Sequence, residues 1–533
     1  MKDAFAKELK NLEPCDPNAI SFFELIESIW EGLNNQPFHR FCTLMRKINV
    51  RSYVREELIL NKELLDEQEM LRIHLKSKDV DLIAERLTFF ASLPGSLEWG
   101  DTKQLPESHI LGYAVIVKVM EGTQHKVTFM LEAVVRPPSV VFLPKDNDIF
   151  IEGITNYYLH NSNLFETILG TREKSRTFTF LGSFFTQQNG LTSVCAHAAL
   201  RTAVNSSGML NVRKLTNKYI NDSLNLSDYN PHGGLDKEQI EQVVQSLGLH
   251  FHSANFHKNT AVEYDHFMYP SLESGFPTIL GLERWDADSK SLSGHVVTVL
   301  GHTMNSDRWE PEARRGYGNY PITPYIPTAE WCCHYIISDD NYGMYGTLPT
   351  DAVRNFIVPA KNPNQHVSMA ISVVPSDVVL PGYHAEQLAM YKAKYLINNV
   401  SLNRPRKWHE RMRGKDLVCR TLLIAKDDYL KFIRTHNTKI TEEQNKYLDA
   451  LPKYVWVSEV SLPDIFTGNK HKLGDVVVRA NATPQEHINE ESLALAWFPG
   501  FVQLGHQLNW KEGWAIETHI PLFRYKERPL LEW

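Results

Sequence analysis

Long apolar runs, paired cysteines and an excess of positive charge are all missing from this chain of 533 residues. No segment reaches the ~18 uninterrupted apolar residues that a membrane helix needs, so no membrane span is expected. The opening, MKDAFAKELKNLEPCDP, has no continuous apolar stretch of the kind a secretory signal carries. The six cysteines (Cys15, Cys42, Cys195, Cys332, Cys333 and Cys419) are scattered and form no CxxC pair. Thiols used this sparsely suit a reducing compartment, so cytoplasmic residence with free thiols is expected. A net charge of -7 argues against nucleic acid or an anionic membrane as partner, because both need concentrated positive charge. Internal repeats and low-complexity tracts are absent too.

What remains is the composition of an ordinary globular protein, 43% hydrophobic and 22% charged. The length is too great for one core and predicts roughly two to four domains. Residues 1–165 read as an accessory region, with helices at 19–33, 63–75 and 79–93. Strands at 112–120 and 125–135 follow, flanking the turn Glu121-Gly122-Thr123-Gln124, a hairpin signal. Residues 166–375 form the middle region. Residues 376–533 form a third, mixed α/β region with helices at 385–397 and 426–436 and strands at 453–462 and 474–480. Its aromatic tail (Trp497, Phe498, Trp510, Trp514, Phe523, Trp533) is expected to pack as core.

The middle region carries the chemistry. In TSVCAHAALRTAVNSSG, Thr192 and Ser193 precede an apolar-periodic run, and Ser206-Ser207-Gly208 follows it. Those are start and stop signals for a helix of about three turns. Cys195 falls in its first turn, where unpaired amides and the helix dipole favour a thiolate. Val194, Ala198, Ala199 and Ala203 are small enough for close packing. Further on, SLSGHVVTVLGHT places His295 at the head of a β-branched strand. WCCHYIISDDNYGMYG is a second strand, ending in Asp339-Asp340-Asn341 before a glycine turn. Cysteine, histidine and acid in that order supply a nucleophile, a base and an orienting group.

Residues of about 180–350 resemble the papain-like cysteine peptidases. The likeness is nearest to the leader-peptide peptidase domains attached to bacteriocin exporters and to their double-glycine peptidase-like relatives. Five landmarks carry it: Gln-Asn-Gly before Cys195, GGLDKEQIEQVVQSLGLHF (233–251), SGFPTILGLERW (274–285), GHVVTVLGH and YIISDDNYG. In the second landmark Asp236 reads as an N-cap with Gln239 completing a capping box, and Leu235 and Ile240 as a hydrophobic staple. The resemblance implies an α+β fold in which the nucleophile helix packs on an antiparallel sheet, with that capped helix beside it. It implies Cys195 as nucleophile, His295 as base, Asp339 as orienting acid and Gln188 as oxyanion donor. Asp340 is the alternative acid, and Asn341 a third. Two departures stand out. Gln188 lies seven positions before Cys195, and Asn189 occupies the expected sixth, so either amide fits. The His295-to-Asp339 spacing is also long, by an insertion at 304–330 that reads either as a substrate-facing flap or as a surface loop.

Other residues read as structural. His197 lies two positions past the nucleophile, about 200° round the helix from it. Cys332 and Cys333 are adjacent in a predicted strand and face opposite ways. His250, His252, His257 and His266 form a loose group without a cysteine or acid at set spacing, so no metal is expected; no cofactor is expected either. The expected function is a thiol hydrolase, a cysteine peptidase acting on a protein or peptide substrate. The alternatives are an acyltransferase of transglutaminase type using the same thioester, and an inactive peptidase-like binding module. Oligomeric state is not legible.

Overall fold

The computed structural model describes residues 4–10, 12–14, 36–91, 105–139, 141–142, 153–154, 157–191, 195–226, 234–256, 262–286, 291–304, 311, 313, 324–350, 366–399, 412, 414–436, 440–498, 501–505, 510–511 and 520–524. The fold is α+β, built on three large sheets that are antiparallel except where Ile326–Pro327 runs parallel to Val418–Ala425. No helix among the described residues is long and apolar enough to cross a membrane.

The first sheet takes strands in the order 13–14, 52–57, 80–90, 110–121, 124–135, 175–185 and 163–170. The expected hairpin forms, with Glu121 facing Gln124 across the turn. The segment expected as a helix at 79–93 is instead the strand Val80–Phe90. Its burial alternates: Val80, Leu82 and Ala84 face the core while Asp81 and Ile83 face solvent. That period of two outweighs the helix-forming composition. The expected helix at 19–33 lies outside the described residues. This sheet also runs past the expected boundary at 165. Ser183–Phe185 pair with Ala133–Val135, and Ser175–Gly182 pair with Asn163–Gly170.

The second sheet takes the order 249–255, 366–375, 278–286, 291–303, 334–339 and 343–349, with 157–159 added beside 291–303. The helix Cys195–Ser206 is wedged between the strands 175–185 and 291–303, one from each sheet. Ala196, Ala199, Leu200, Ala203 and Val204 enter the largest core. Thr298 donates from the sheet to the Ala199 carbonyl at 2.8 Å, and the Ser206 hydroxyl accepts from the Phe184 amide at 2.8 Å. The helix Lys237–Ser246 carries the expected Asp236 cap and Gln239 capping box. It shares the nucleophile helix's core and packs on the short helix Asn217–Ser223, which in turn packs on Cys195–Ser206.

The third sheet is covered on one side by the helix Gly382–Asn399, whose apolar residues join the same core. Trp497, Phe498 and Phe523 are buried as expected, whereas Trp514 and Trp533 lie outside the described residues. Small side chains make the helix wedge possible. Ala203→Leu, at a fully buried position, is expected to lower stability by about 1–3 kcal/mol through overpacking. Urea denaturation checks this, and an unchanged midpoint would contradict the packing described.

Candidate active site

Cys195 is the first residue of its helix and is half-buried, so its thiol meets the positive end of the helix dipole. His295 lies on the strand Ser291–Thr303, paired to Leu282 on one side. On the other side the paired register ends at Thr298↔Ser338, and Asp339, the next and last residue of its strand, stands diagonal to His295. The diagonal becomes a hydrogen bond: His295 Nε2 stands 2.9 Å from Asp339 Oδ1. The same Oδ1 accepts the Asn341 amide at 2.8 Å, which fixes the carboxylate at the turn.

The Cys195 side chain is among the groups that raise the His295 ring, so sulfur and imidazole are neighbours. With Nε2 held by Asp339, Nδ1 is the nitrogen left for the sulfur. Asn341 Nδ2 lies 3.4 Å from that Nδ1, and Asn341 Oδ1 accepts from Gln188 Nε2 at 2.7 Å. A chain of polar groups therefore runs from Gln188 through Asn341 to His295 and on to Asp339.

The three consecutive amides before Cys195 have separate tasks. Gln187 is tied to the first sheet, its side-chain oxygen accepting from the Met130 amide at 3.1 Å. Asn189 is buried and caps its own loop, accepting from the Leu191 amide at 3.0 Å. Gln188 reaches the histidine's surroundings through Asn341. The structure thus brings together Cys195, His295, Asp339, Asp340, Gln188 and Asn341. Asn341, weighed from sequence only as a weak acid substitute, emerges as the link between the glutamine and the ring. No sequence spacing could have given it that place.

Asp340 is buried beside the ring, with one oxygen 3.7 Å from His295 Nε2. Neither of its oxygens has a hydrogen-bond partner from another residue. Burial pushes its carboxyl up to about 7; the His295 charge opposes this and the Asp339 charge adds to it. Burial alone would drive His295 toward its neutral form. The hydrogen bonds to Asp339 and Cys195, with the charges of Asp339 and Asp340, outweigh burial and hold the ring at about 11.

The insertion at 304–330 does join neighbouring strands, but it is attached at their ends remote from His295 and Asp339. Thr303 and His334 stand at the opposite ends of the two strands from His295 and Asp339. Antiparallel pairing makes this unavoidable: if the turn after Asp339 sits at one end, the other connection leaves from the far end. Among the insertion's described residues, Ile326–Pro327 pair with Val418–Cys419 of the third sheet. The flap expectation is therefore not met by them. Cys332 and Cys333 precede the strand His334–Asp339 instead of lying in it, after a short helical turn at Thr328–Trp331. Cys332 is buried and Cys333 exposed. His197 is fully buried and hydrogen-bonded to Asn221 at 2.8 Å, so it is structural and not solvated.

Three groups of side chains among the described residues present converging ligand atoms that could hold a cation. One is His295, Asp339 and Asp340, with the thiol at the other ring nitrogen, an arrangement suited to a proton relay more than to a four-ligand cage. A second centres on His266, 2.7 Å from Glu330, with Glu263 and Asp265 nearby; folding supplies the acids that sequence spacing lacked. The third is His160, Glu273 and His302. His250 and His252 instead stack edge to face, and His257 lies outside the described residues.

A raised imidazole has a definite pH signature. The His295 value lies above the ordinary 6.5, so its contribution to stability is complete below about pH 6.5 and is lost as pH climbs toward about 11. NMR titration of the ring is expected to show imidazolium persisting above pH 9 (~2 units above an ordinary histidine). Asp339→Asn is expected to lower the midpoint. A wild-type ring titrating near its ordinary value would contradict the geometry.

Compared with known proteins, the chain matches no family model and no curated protein, so the roles of these residues rest on their geometry alone.

Proposed function

We propose that the protein is a thiol hydrolase of papain-like design, a cysteine peptidase in which Cys195, His295 and Asp339 act as nucleophile, acid–base and orienting group. One observation carries the reading: a cysteine at a helix N-terminus neighbours an imidazole whose Nε2 lies 2.9 Å from a carboxylate. An ordinary core thiol has no such partner and no such position.

The chemistry follows from proton positions. An imidazole held at about 11 is charged at neutral pH, so it stabilises a thiolate beside it. The sulfur attacks a peptide carbonyl and its electron pair moves to oxygen. In this reading the Cys195 amide and the Gln188 side chain, once released from Asn341, donate to that oxyanion. The imidazolium then gives its proton to the departing amine, leaving a thioester. The ring, now neutral, takes a proton from water, and the resulting hydroxide releases the acid. Asp339 keeps Nε2 oriented throughout, and Asp340 adds a buried acid beside the imidazolium.

A peptide or protein substrate fits this chemistry. The free state of the described cysteines (Cys42, Cys195, Cys332, Cys333 and Cys419) is in keeping with a cytoplasmic setting.

Incubation of the full chain with a diverse peptide mixture, followed by mass spectrometry, tests the reading. The expected result is cleavage that falls at least about a thousandfold in Cys195→Ala. An added primary amine tests the acyltransferase alternative, since amide adducts replacing free acids would mark transfer. Cleavage untouched by the substitution, or no turnover of any acyl substrate, would overturn the proposal.

A further inference from the structure

The cluster His160, Glu273 and His302 lies at the end of the second sheet remote from Cys195, where that sheet meets the third. All three side chains are buried, with relative exposures of 2%, 2% and 0%. Each comes from a different segment. His160 follows the strand Tyr157–Leu159, Glu273 ends the helix Tyr264–Glu273, and His302 lies near the end of the strand Ser291–Thr303.

Their juxtaposition depends on a glycine. The strand Tyr157–Leu159 comes so close to Gly301 that a Cβ there would stand 1.9 Å from the Tyr158 carbonyl oxygen. The amides of His160 and Asn161 then both donate to the Leu300 carbonyl, at 3.0 and 2.9 Å, and hold His160 over His302.

Three ligand atoms converge. His160 Nε2 lies 2.9 Å from His302 Nε2, His302 Nε2 lies 2.7 Å from Glu273 Oε2, and His160 Nε2 lies 3.2 Å from the same oxygen. With both rings neutral and the His302 proton on Nδ1, hydrogen bonds cannot satisfy this triangle, because each imidazole nitrogen has a single in-plane site and faces two partners. The outer contacts sharpen the point. His302 Nδ1 lies 3.1 Å from the Thr303 carbonyl oxygen, which can only accept, so Nδ1 carries the proton. In a neutral ring Nε2 then turns a lone pair toward a carboxylate oxygen. Either a second proton or a metal cation must lie between them.

Donors held about 2.0–2.1 Å from a tetrahedral zinc ion stand roughly 3.3 Å apart, so the ligands need spread by only a few tenths of an ångström. Two imidazoles and a carboxylate form a borderline-soft set that suits zinc. Glu273 is braced behind the site by Arg420, which donates to its other oxygen at 2.8 Å and pairs with Glu459 at 3.0 Å. A carbonyl behind one imidazole and a guanidinium behind the carboxylate are the outer contacts that orient metal ligands. Arg420 and Lys472 are each matched by carboxyl groups of Glu273, Glu459 and Asp475, so the network leaves no unmatched basic group to repel a cation.

We propose that His160, Glu273 and His302 bind one zinc ion, which pins the second sheet, the helix Tyr264–Glu273 and, through Arg420, the third sheet together. Three ligands leave the fourth position of a tetrahedral zinc to a water, and their burial at the far end of the sheet sets the site apart from the chemistry at Cys195.

The test uses the full chain. Elemental analysis of protein purified without chelator is expected to find about one zinc per chain. Cobalt(II) added to the metal-stripped protein is expected to saturate at one equivalent with visible d–d absorption. His302→Gln and His160→Gln should abolish both signals, while His266→Gln and His295→Gln should keep them, separating this cluster from the other two. If the first pair fails to fold, X-ray absorption of the wild-type zinc decides. A shell with two imidazoles supports the proposal, and any other shell overturns it. A metal-free chain whose melting temperature ignores added zinc chloride would likewise overturn it, assigning the cluster to a shared proton.

Discussion

The hydrogen bond between His295 Nε2 and Asp339 is the constraint on which the rest of the site depends. Left to burial alone the ring would be neutral, free to choose its tautomer, and a poor partner for a thiolate. The carboxylate removes both freedoms: it claims Nε2 and favours the charged ring. Asp339 can do so because its own oxygen is held by the Asn341 amide, and because antiparallel register sets it diagonal to His295. The only remaining requirement is a sulfur on the other side of the ring. The helix that provides it is gripped between two sheets, and its exposure is low along nearly its whole length.

That grip shows what the first region contributes. It is more than an appendage, because strand 175–185 belongs to its sheet and forms one wall of the nucleophile helix. Arg201 of the helix reaches Glu63 at 2.8 Å, and Lys214 pairs with both Glu63 and the buried Glu132. Gln187 anchors the loop that presents Gln188. The third region is tied in the same manner, with Arg420 bridging Glu273 and Glu459. Buried ion pairs of this kind add little net stability but are costly to break singly, so they fix how the layers meet. The thiol and the imidazole owe their alignment to that assembly as much as to their own strands.

Much of this was legible because local signals agreed with the fold. The Asp236–Gln239 capping box, the hairpin at 121–124, the Cys195 helix and the His295 strand each carry their chemistry within a few residues. Where local and long-range signals conflict, sequence reading fails in an understandable way. Val80–Phe90 is rich in helix formers, yet its alternating burial is set by two strands on either side. The choice between Gln188 and Asn189, and between Asp339 and Asp340, turns on single-residue orientation that neither spacing nor periodicity specifies. His160, Glu273 and His302 carried no signal at all, because three distant segments meet only through the close approach at Gly301. For the insertion at 304–330, the end at which it is attached differs from the expectation for a topological reason, since it follows from strand direction and not from composition.

Activation of the sulfur by the imidazole is the central requirement of the site. Alkylation rates of individual cysteines, followed by peptide mass spectrometry at neutral pH with iodoacetamide, measure this directly. Cys333 is exposed and serves as the internal reference for accessibility. Half-buried Cys195 is predicted to react at least about tenfold faster than Cys333, and to lose that advantage in His295→Gln. A Cys195 that reacts no faster than Cys333, or whose rate is indifferent to the histidine, would contradict the account.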